Sequence, residues 1–251
     1  MKRQNEILKI TNLFYQYPCG RKVLEDLNET IFSEERIGIV GPNGAGKTTL
    51  FLTIAGIKKP ISGEIILFNK PVKKGEFRPE LGMVFQNQDD QLFCPSVYDD
   101  IAFGPQNMGL SDKEVGERVN KSLDILDIKS LENRPPHQLS GGEKRLVALA
   151  GVLAMEPKLV IYDEPTSNLD VRYRRKLINF LRATDQEAML IASHDLEFIL
   201  ETCNRVIVLD NGTIIETGKP AEILSNKELM EKHGLEVPYS LGSSLGSGFT
   251  L

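Results

Sequence analysis

The run "RIGIVGPNGAGKTTL", Arg36 to Leu50, constrains the fold more than any other stretch. "RIGIV" is a short apolar strand that ends at Val40 and runs directly into Gly41, Gly44 and Gly46. A helix follows, one face of which is marked by Leu50, Ile54 and Ile57. The pattern is G-x-x-x-x-G-K-[ST] between a strand and a helix, the context in which such a loop cradles phosphate. Glycines let the backbone fold around an anion without a Cβ in the way. The unpaired N–H groups of the loop and helix start then meet the negative charge. Within Gly41–Thr49, which also holds Pro42, Asn43 and Ala45, Lys47 is expected to reach the β- and γ-phosphates and the Thr48 hydroxyl to hold Mg2+. The bland alternative, a glycine turn before a helix, leaves the Lys-Thr pair without a purpose.

The rest of the chain fits a sheet around that strand. "KLVIYDEP" and "AMLIASHD" hold two more buried strands, and "VRYRRKLINFLRAT" between them is an amphipathic helix. Strands alternating with helices predict an α/β fold with a mostly parallel sheet. "EILKITNLFYQY" alternates apolar and polar residues as a strand does, and "KKPISGEIILFN" is a turn followed by a strand. "RVIVLDNGTIIETG" reads as a hairpin turning at Asn211-Gly212. Residues from about 89 to 155 are mostly helical, an insertion in which "SDKEVGERVNKSLDILDI" opens on a Ser/Asp cap.

Composition removes several classes. A chain of 251 residues suits one large domain, or one with sub-domains. Its net charge of -5 argues against a general nucleic-acid binder and against direct docking on anionic lipid. No run approaches the ~20 apolar residues that span a bilayer. The opening "MKRQNEILKI" lacks the apolar core of a secretory signal. Cys19, Cys94 and Cys203 are odd in number and without metal-ligand spacing, so they read as reduced thiols. The Gly/Ser-rich end, 240–251, reads as a flexible tail.

More residues carry chemistry. Asp163 and Glu164 lie just past a buried strand. Asp163 suits a Mg2+ contact, direct or through water, and Glu164 a group that orients or deprotonates an attacking water. Alone, "DE" after an apolar strand is as often a solvated strand end. His194 follows the strand "AMLIAS", where ligands bind in open α/β sheets; a hydrogen bond to the γ-phosphate is its expected task. Gln86, ending "GMVFQ", offers an amide oxygen to Mg2+ or the water. Tyr17 is either core or a stacking surface for a purine. Finally, "HQLSGGEKRLVALAG" makes a second glycine corner, Ser140, Gly141 and Gly142, before a helix with Leu146, Leu149, Ala150 and Leu153 on one face. It is a second anion site that one chain with one phosphate loop does not need.

In this order, these pieces resemble the ATP-binding cassette ATPases over nearly the whole chain. "GPNGAGKTT" looks like the Walker A loop, "LVIYDE" like Walker B, and "LSGGE" at Leu139–Glu143 like the family signature. Gln86, "SNLD" at Ser167–Asp170, and His194 fall at the Q-loop, D-loop and switch histidine, and Tyr17 where the family stacks adenine. The resemblance implies a P-loop NTPase (RecA-like) core sheet, an N-terminal antiparallel β sub-domain and an inserted helical sub-domain. It implies one domain over residues 1–239 with the helical part, about 89–155, inside it. It also implies ATP and Mg2+, contacts to nucleotide from Ser140, Gly141, Gly142, Glu143 and Asp170, and two subunits docked head to tail. Each ATP then touches the Walker loop of one chain and the signature of the other, which accounts for the second corner.

"VFQNQDDQLFCPSVYDDIAFGPQNMGLS" is similar to the Q-loop region of energy-coupling-factor and cobalt/nickel import ATPases. Val171 and Gln88 depart from that pattern, standing where many relatives have Pro; neither touches the catalytic set. The expectation is an ATPase at the cytoplasmic face of a membrane, powering an importer for cobalt/nickel or vitamins, with integral membrane subunits and no nucleic acid as partner. Those subunits would grip Leu92, Phe93, Val97 and Tyr98, unless these are core. A small-molecule kinase would have no use for "LSGGE" and "SNLD". A DNA-associated cassette ATPase would carry coiled-coil arms or a basic surface.

Overall fold

The computed structural model describes residues 5–167 and 169–242. In chain order the first strands are β1 (Glu6–Gln16), β2 (Lys22–Phe32) and β3 (Arg36–Val40), followed by α1 (Lys47–Ile54), β4 (Ser62–Leu67) and β5 (Lys70–Pro71). Next come β6 (Leu81–Val84), α2 (Val97–Asn107), α3 (Asp112–Ile125), α4 (Gly141–Leu153), β7 (Leu159–Asp163) and α5 (Val171–Ala183). The chain ends with β8 (Ala188–Ala192), α6 (Leu196–Thr202), β9 (Arg205–Asp210), β10 (Thr213–Gly218), α7 (Pro220–Leu224), α8 (Lys227–Lys232) and α9 (Tyr239–Gly242). Two compact units result, Met1–Glu76 with Glu187–Leu251, and Phe77–Gln186.

The first unit holds an antiparallel sheet in the order β2-β1-β4-β5. Strand β1 buries Leu8 and Ile10, then Leu13 and Tyr15. The register shift between Ile10 and Leu13, with Asn12 at φ +46, re-phases the alternation so that both pairs face inward. In the same unit β3 lies between β8 and β9, parallel to both, and β10 returns antiparallel on β9 through Asn211 and Gly212 at φ +47 and +76. Ile37, Ile39 and Val40 of β3 are all buried, as a central parallel strand requires. The glycine loop therefore leaves the C-terminal end of a strand fixed on both sides.

In the second unit β6 and β7 pair in parallel, from Leu81 opposite Leu159 to Val84 opposite Tyr162. Helices α2, α3 and α4 come between them in sequence and pack on one another. Ser111 and Ser140 open α3 and α4 with capping boxes to Glu114 and Glu143. Val115, Val119 and Leu123 face inward from α3.

Three expectations shift. Helix α1 stops at Ile54, so Ile57 lies beyond it and is exposed. Val97 is wholly buried at the start of α2, so it cannot be gripped from outside, whereas Phe93 is 66 % exposed. Helix α4 has no single apolar face: Arg145 to Ala150 and Val152 are all buried, while Leu153 is only half-buried. Residues 240–242 of the expected tail lie in α9, where Ser240 donates from its backbone N and its hydroxyl to Glu197, at 2.9 and 2.7 Å. The rest of that tail, 243–251, lies outside the described residues. Among the described residues no helix is long and apolar enough to cross a membrane. The three cysteines are free thiols, and burial pushes Cys94 up to about 11 and Cys203 up to about 12.

Candidate active site

In the first unit, Gly41 sits where a methyl group would come within 1.9 Å of the Leu209 carbonyl of β9. Gly46, at φ +108, begins α1 and leaves no room for a Cβ beside the Val23 carbonyl. Both glycines are therefore fixed by backbone packed against the loop. Ala45 is buried; its carbonyl accepts from Gly212 N–H at 3.0 Å, so the β9–β10 turn props the loop from below. Asn43, Gly44 and Thr48 are exposed and Pro42 is half-buried, an open rim above a buried floor. Lys47 is folded back, its Nζ donating to the carbonyls of Gly41 (2.7 Å) and Pro42 (3.1 Å). Those two bonds mark a place where a cation is held ready for anionic oxygen.

Tyr17 is half-buried, not core. Its hydroxyl shares a 3.2 Å hydrogen bond with the Thr49 hydroxyl, and its ring meets Tyr15 edge-on at 5.3 Å. The Lys58 ammonium lies 4.8 Å from the Tyr17 ring centre, a cation–π contact that sequence reading missed because 41 residues separate the pair. A base stacking on Tyr17 uses the other face or displaces this lysine. His194 stands exposed just past β8. Desolvation first, and then the Lys47 ammonium, hold its pKa below the usual imidazole value. The ring is thus neutral at pH 7, able to donate from one nitrogen and accept at the other. The structure so brings Tyr17, the loop and His194 into one unit.

The second unit carries the other candidates. Asp163 ends the fully buried strand β7 and is 2 % exposed. Glu164 follows at φ +49, in the left-handed region, and is 6 % exposed. Among the described residues no three His, Cys, Asp or Glu side chains converge as a metal cage. A buried carboxylate such as Asp163 suits Mg2+, which takes one or two carboxylates and completes its shell with phosphate and water. Gln86 is exposed after β6, and its backbone carbonyl accepts from Gln88 Nε2 at 2.9 Å. The same amide donates to Phe85 O at 3.2 Å, so Gln88 braces this loop in a way that Pro could not.

At the second glycine corner, Ser140 Oγ accepts from Glu143 N at 3.3 Å and the Glu143 carboxylate accepts from Ser140 N at 2.8 Å. Those bonds, Ser140 N–H foremost, hold the Glu143 carboxyl below its usual range. The carboxylate also lies 3.4 Å from Arg134. Its place is therefore in the cap, where it shapes the corner. A methyl group added at Gly141 would meet nothing within 4 Å, whereas at Gly142 it would strike the Tyr173 ring at 2.8 Å. Gly141 is the open face and Gly142 the packed one. Asp170 caps α5, accepting from Tyr173 N at 2.9 Å. Val171 occupies the first helical position, where Pro is favoured but not required, and is exposed. Asn168 of "SNLD" lies outside the described residues.

Sequence reading passed over Arg21, whose guanidinium stands about one methyl contact from Gly44, and over Arg145 and Tyr173. Arg145 stands where the charged run "EKR" meets the apolar run "LVALAGVLA", and that border gave no sign that it is buried.

The family model described as "ABC transporter" matches residues 24–167. The Energy-coupling factor transporter ATP-binding protein EcfA of Methanothermobacter thermautotrophicus is 44 % identical over 239 residues, covering 92 % of this chain and 77 % of that protein. The structure of cbiO1 from Clostridium perfringens, part of the ABC transporter complex cbiONQ, superposes with a TM-score of 0.80 at 38 % identity, covering 97 % of this chain and all of that one. A dimeric ATP-binding cassette in a post-hydrolysis state with ADP and Pi superposes with a TM-score of 0.77 at 25 % identity, covering 85 % of this chain and 99 % of that one.

Proposed function

We infer the role of this chain from a plain premise: it belongs to the ABC transporter family and is an ATPase of that family. It is proposed to power an importer, with cobalt or nickel as cargo. Uptake of vitamins through an energy-coupling-factor assembly is the second reading, favoured by the EcfA relative. The observation that carries the proposal is the contrast between the two glycine corners. One is walled by its own chain and holds a buried lysine folded back on its own carbonyls; the other has an open glycine, and its Lys144 is paired with Asp89. A head-to-tail dimer gives the open corner a phosphate to bind. The dimeric cassette with ADP and Pi supports the assembly.

In this reading the amides of residues 41–49 and Lys47 bind the phosphates, Tyr17 stacks on the base, and Glu164 takes a proton from the attacking water. His194 donates to the γ-phosphate, and Gly141 of the second subunit offers its N–H to the same group. Mg2+, when bound, neutralises charge on the β- and γ-oxygens; Asp163, Thr48 and Gln86 are the residues assigned to it. Glu143 and Asp170, whose carboxylates cap α4 and α5, shape the surfaces that meet nucleotide.

The second unit offers a place for membrane subunits. A cavity of about 560 Å3 is lined by Phe77, Phe93, Phe103, Gln91, Asp100 and Met155, among others. Phe93 and Phe103 pack edge-on at 5.0 Å at its rim. Asp100 Oδ1 accepts from Phe93 N and Cys94 N, while Oδ2 is buried without a hydrogen-bond partner among the described residues. An apolar helix end with a donor fits both features, and such a helix would hold the chain at the cytoplasmic face of the membrane. The helical segment, about 89–155, is thereby the coupling part of a domain spanning 1–239.

The test is purification of the intact complex from membranes, followed by uptake assays in vesicles with Co2+, Ni2+ or vitamins. ATP-dependent accumulation of the metal is expected. Co-purification with no integral membrane protein would overturn the transporter role.

Tyr17→Ala should weaken ATP and ADP binding alike, each by a few-fold, because stacking is worth about 1 kcal/mol and involves the base alone. Calorimetry with both nucleotides checks this. A loss confined to the triphosphate would mean that the ring does not stack.

A further inference from the structure

Arg145 is 3 % exposed within α4. Its Nη2 donates to the Ser167 carbonyl at 3.1 Å and its Nη1 to the Phe85 carbonyl at 3.4 Å. Phe85 immediately precedes Gln86, and Ser167 opens the run that leads to Asp170. Burial lowers the guanidinium pKa to about 10, while the charges of Glu164 and Asp163 oppose that fall, so both carboxylates act on this cation. A buried guanidinium is costly unless it is paired, and an apolar side chain of similar volume would serve a purely structural helix as well. Nearby contacts join the same pieces. Lys144 pairs with Asp89 at 2.6 Å. Gln91 accepts from Phe85 N at 3.1 Å and donates to Ala148 O at 3.2 Å. The Tyr173 ring fills the space beside Gly142. Arg145 reaches both loops.

We propose that Arg145 is a positioning residue: it ties the backbone at Phe85 and at Ser167 to α4, so that Gln86, Glu164 and Asp170 meet the nucleotide as one set. The catalytic consequence rests on the ATPase reading; the tie itself does not. Both guanidinium bonds go to backbone carbonyls of this chain, and no contact with substrate is assigned to the cation.

The test uses the full chain with Arg145→Gln and Arg145→Lys. For Arg145→Gln, turnover should fall more than about tenfold while Mg-ATP affinity stays within about threefold, since binding lies with residues 41–49. Amide hydrogen exchange without nucleotide should quicken about tenfold at 85–91 and 164–167 and stay unchanged at 41–54. Arg145→Lys keeps the charge but lacks the planar fork that spans two carbonyls, so its losses should be smaller and of the same sign. It carries the test if the glutamine variant does not fold. The proposal is overturned if a folded variant turns over within about twofold of the native chain. Slower turnover without faster exchange in either loop also overturns it, as does exchange that quickens equally at 41–54, the sign of a merely structural ion. If the native chain hydrolyses no ATP, the ATPase reading fails and the exchange measurement still judges the tie.

Discussion

Glu164→Gln should bind ATP as the native chain does, hydrolyse it about 10²–10⁴-fold more slowly, and accumulate as an ATP-bound dimer. The amide keeps the shape of a side chain packed in a buried, left-handed turn but can no longer take a proton. Ser140→Arg should act in the opposite direction on assembly. It places a long cation at the corner whose amides are assigned to the second subunit's nucleotide, and it leaves residues 41–49 untouched. Each monomer should still bind one ATP. The combined variant should show no ATP-dependent dimer. Replacing a helix-capping serine costs about 1 kcal/mol of stability. Gly141→Ala therefore serves as a milder partner, since a methyl there meets nothing within 4 Å of its own chain. Light scattering after size exclusion, with and without Mg-ATP, reads all four states. The full membrane complex is the fallback should Glu164→Gln alone stay monomeric. If the combined variant dimerises as well as Glu164→Gln does, the second corner serves no other chain.

Lys47→Ala should cost roughly 10²–10⁴ in affinity for Mg-ATP, because two charge-assisted hydrogen bonds to phosphate are worth about 3–6 kcal/mol together. The lower end is favoured, since the native lysine first gives up its bonds to the Gly41 and Pro42 carbonyls. Calorimetry measures the loss, and unchanged affinity would mean that this loop binds no phosphate. A second signal comes from the histidine. Desolvation and the Lys47 charge both lower the His194 pKa, so removing the charge should raise it part of the way back. The protonated fraction of His194 near pH 6 then increases, which an NMR titration resolves. A pKa that stays put would show that the two groups do not sense each other.

The glycine loop was legible because its chemistry is local: strand, loop and helix succeed one another within fifteen residues of sequence. The same holds for the hairpin at Asn211-Gly212 and for the capped start of α4. What escaped is what depends on approach across the chain. Alternation in β1 gave no warning that Asn12 would shift its register. Periodicity placed Ile57 on the face of α1, but the helix ends one turn earlier. Val97 looked like its apolar neighbour Phe93, and only packing separates the buried residue from the exposed one. Gly142 read as one more phosphate glycine, whereas the Tyr173 ring, 31 positions away, already demands it. Of the candidate catalytic groups, Asp163, Glu164 and His194 were visible as polar residues just past apolar strands. Arg145 was hidden, since it closes the charged run Glu143-Lys144-Arg145, and such a run at a helix start usually lies on the surface.

The hydrogen bond from Gly212 to Ala45 ties together segments more than 160 residues apart in the chain. The loop and the distal hairpin therefore belong to one cooperative opening unit, and neither can unfold locally without releasing the other. Ligand that binds the loop must then protect the hairpin as well. At a hundred times the dissociation constant that protection amounts to about 2.7 kcal/mol by mass action. On the proposed reading, nucleotide held by the loop would thus guard from proteases a turn that lies more than 160 residues further along the chain.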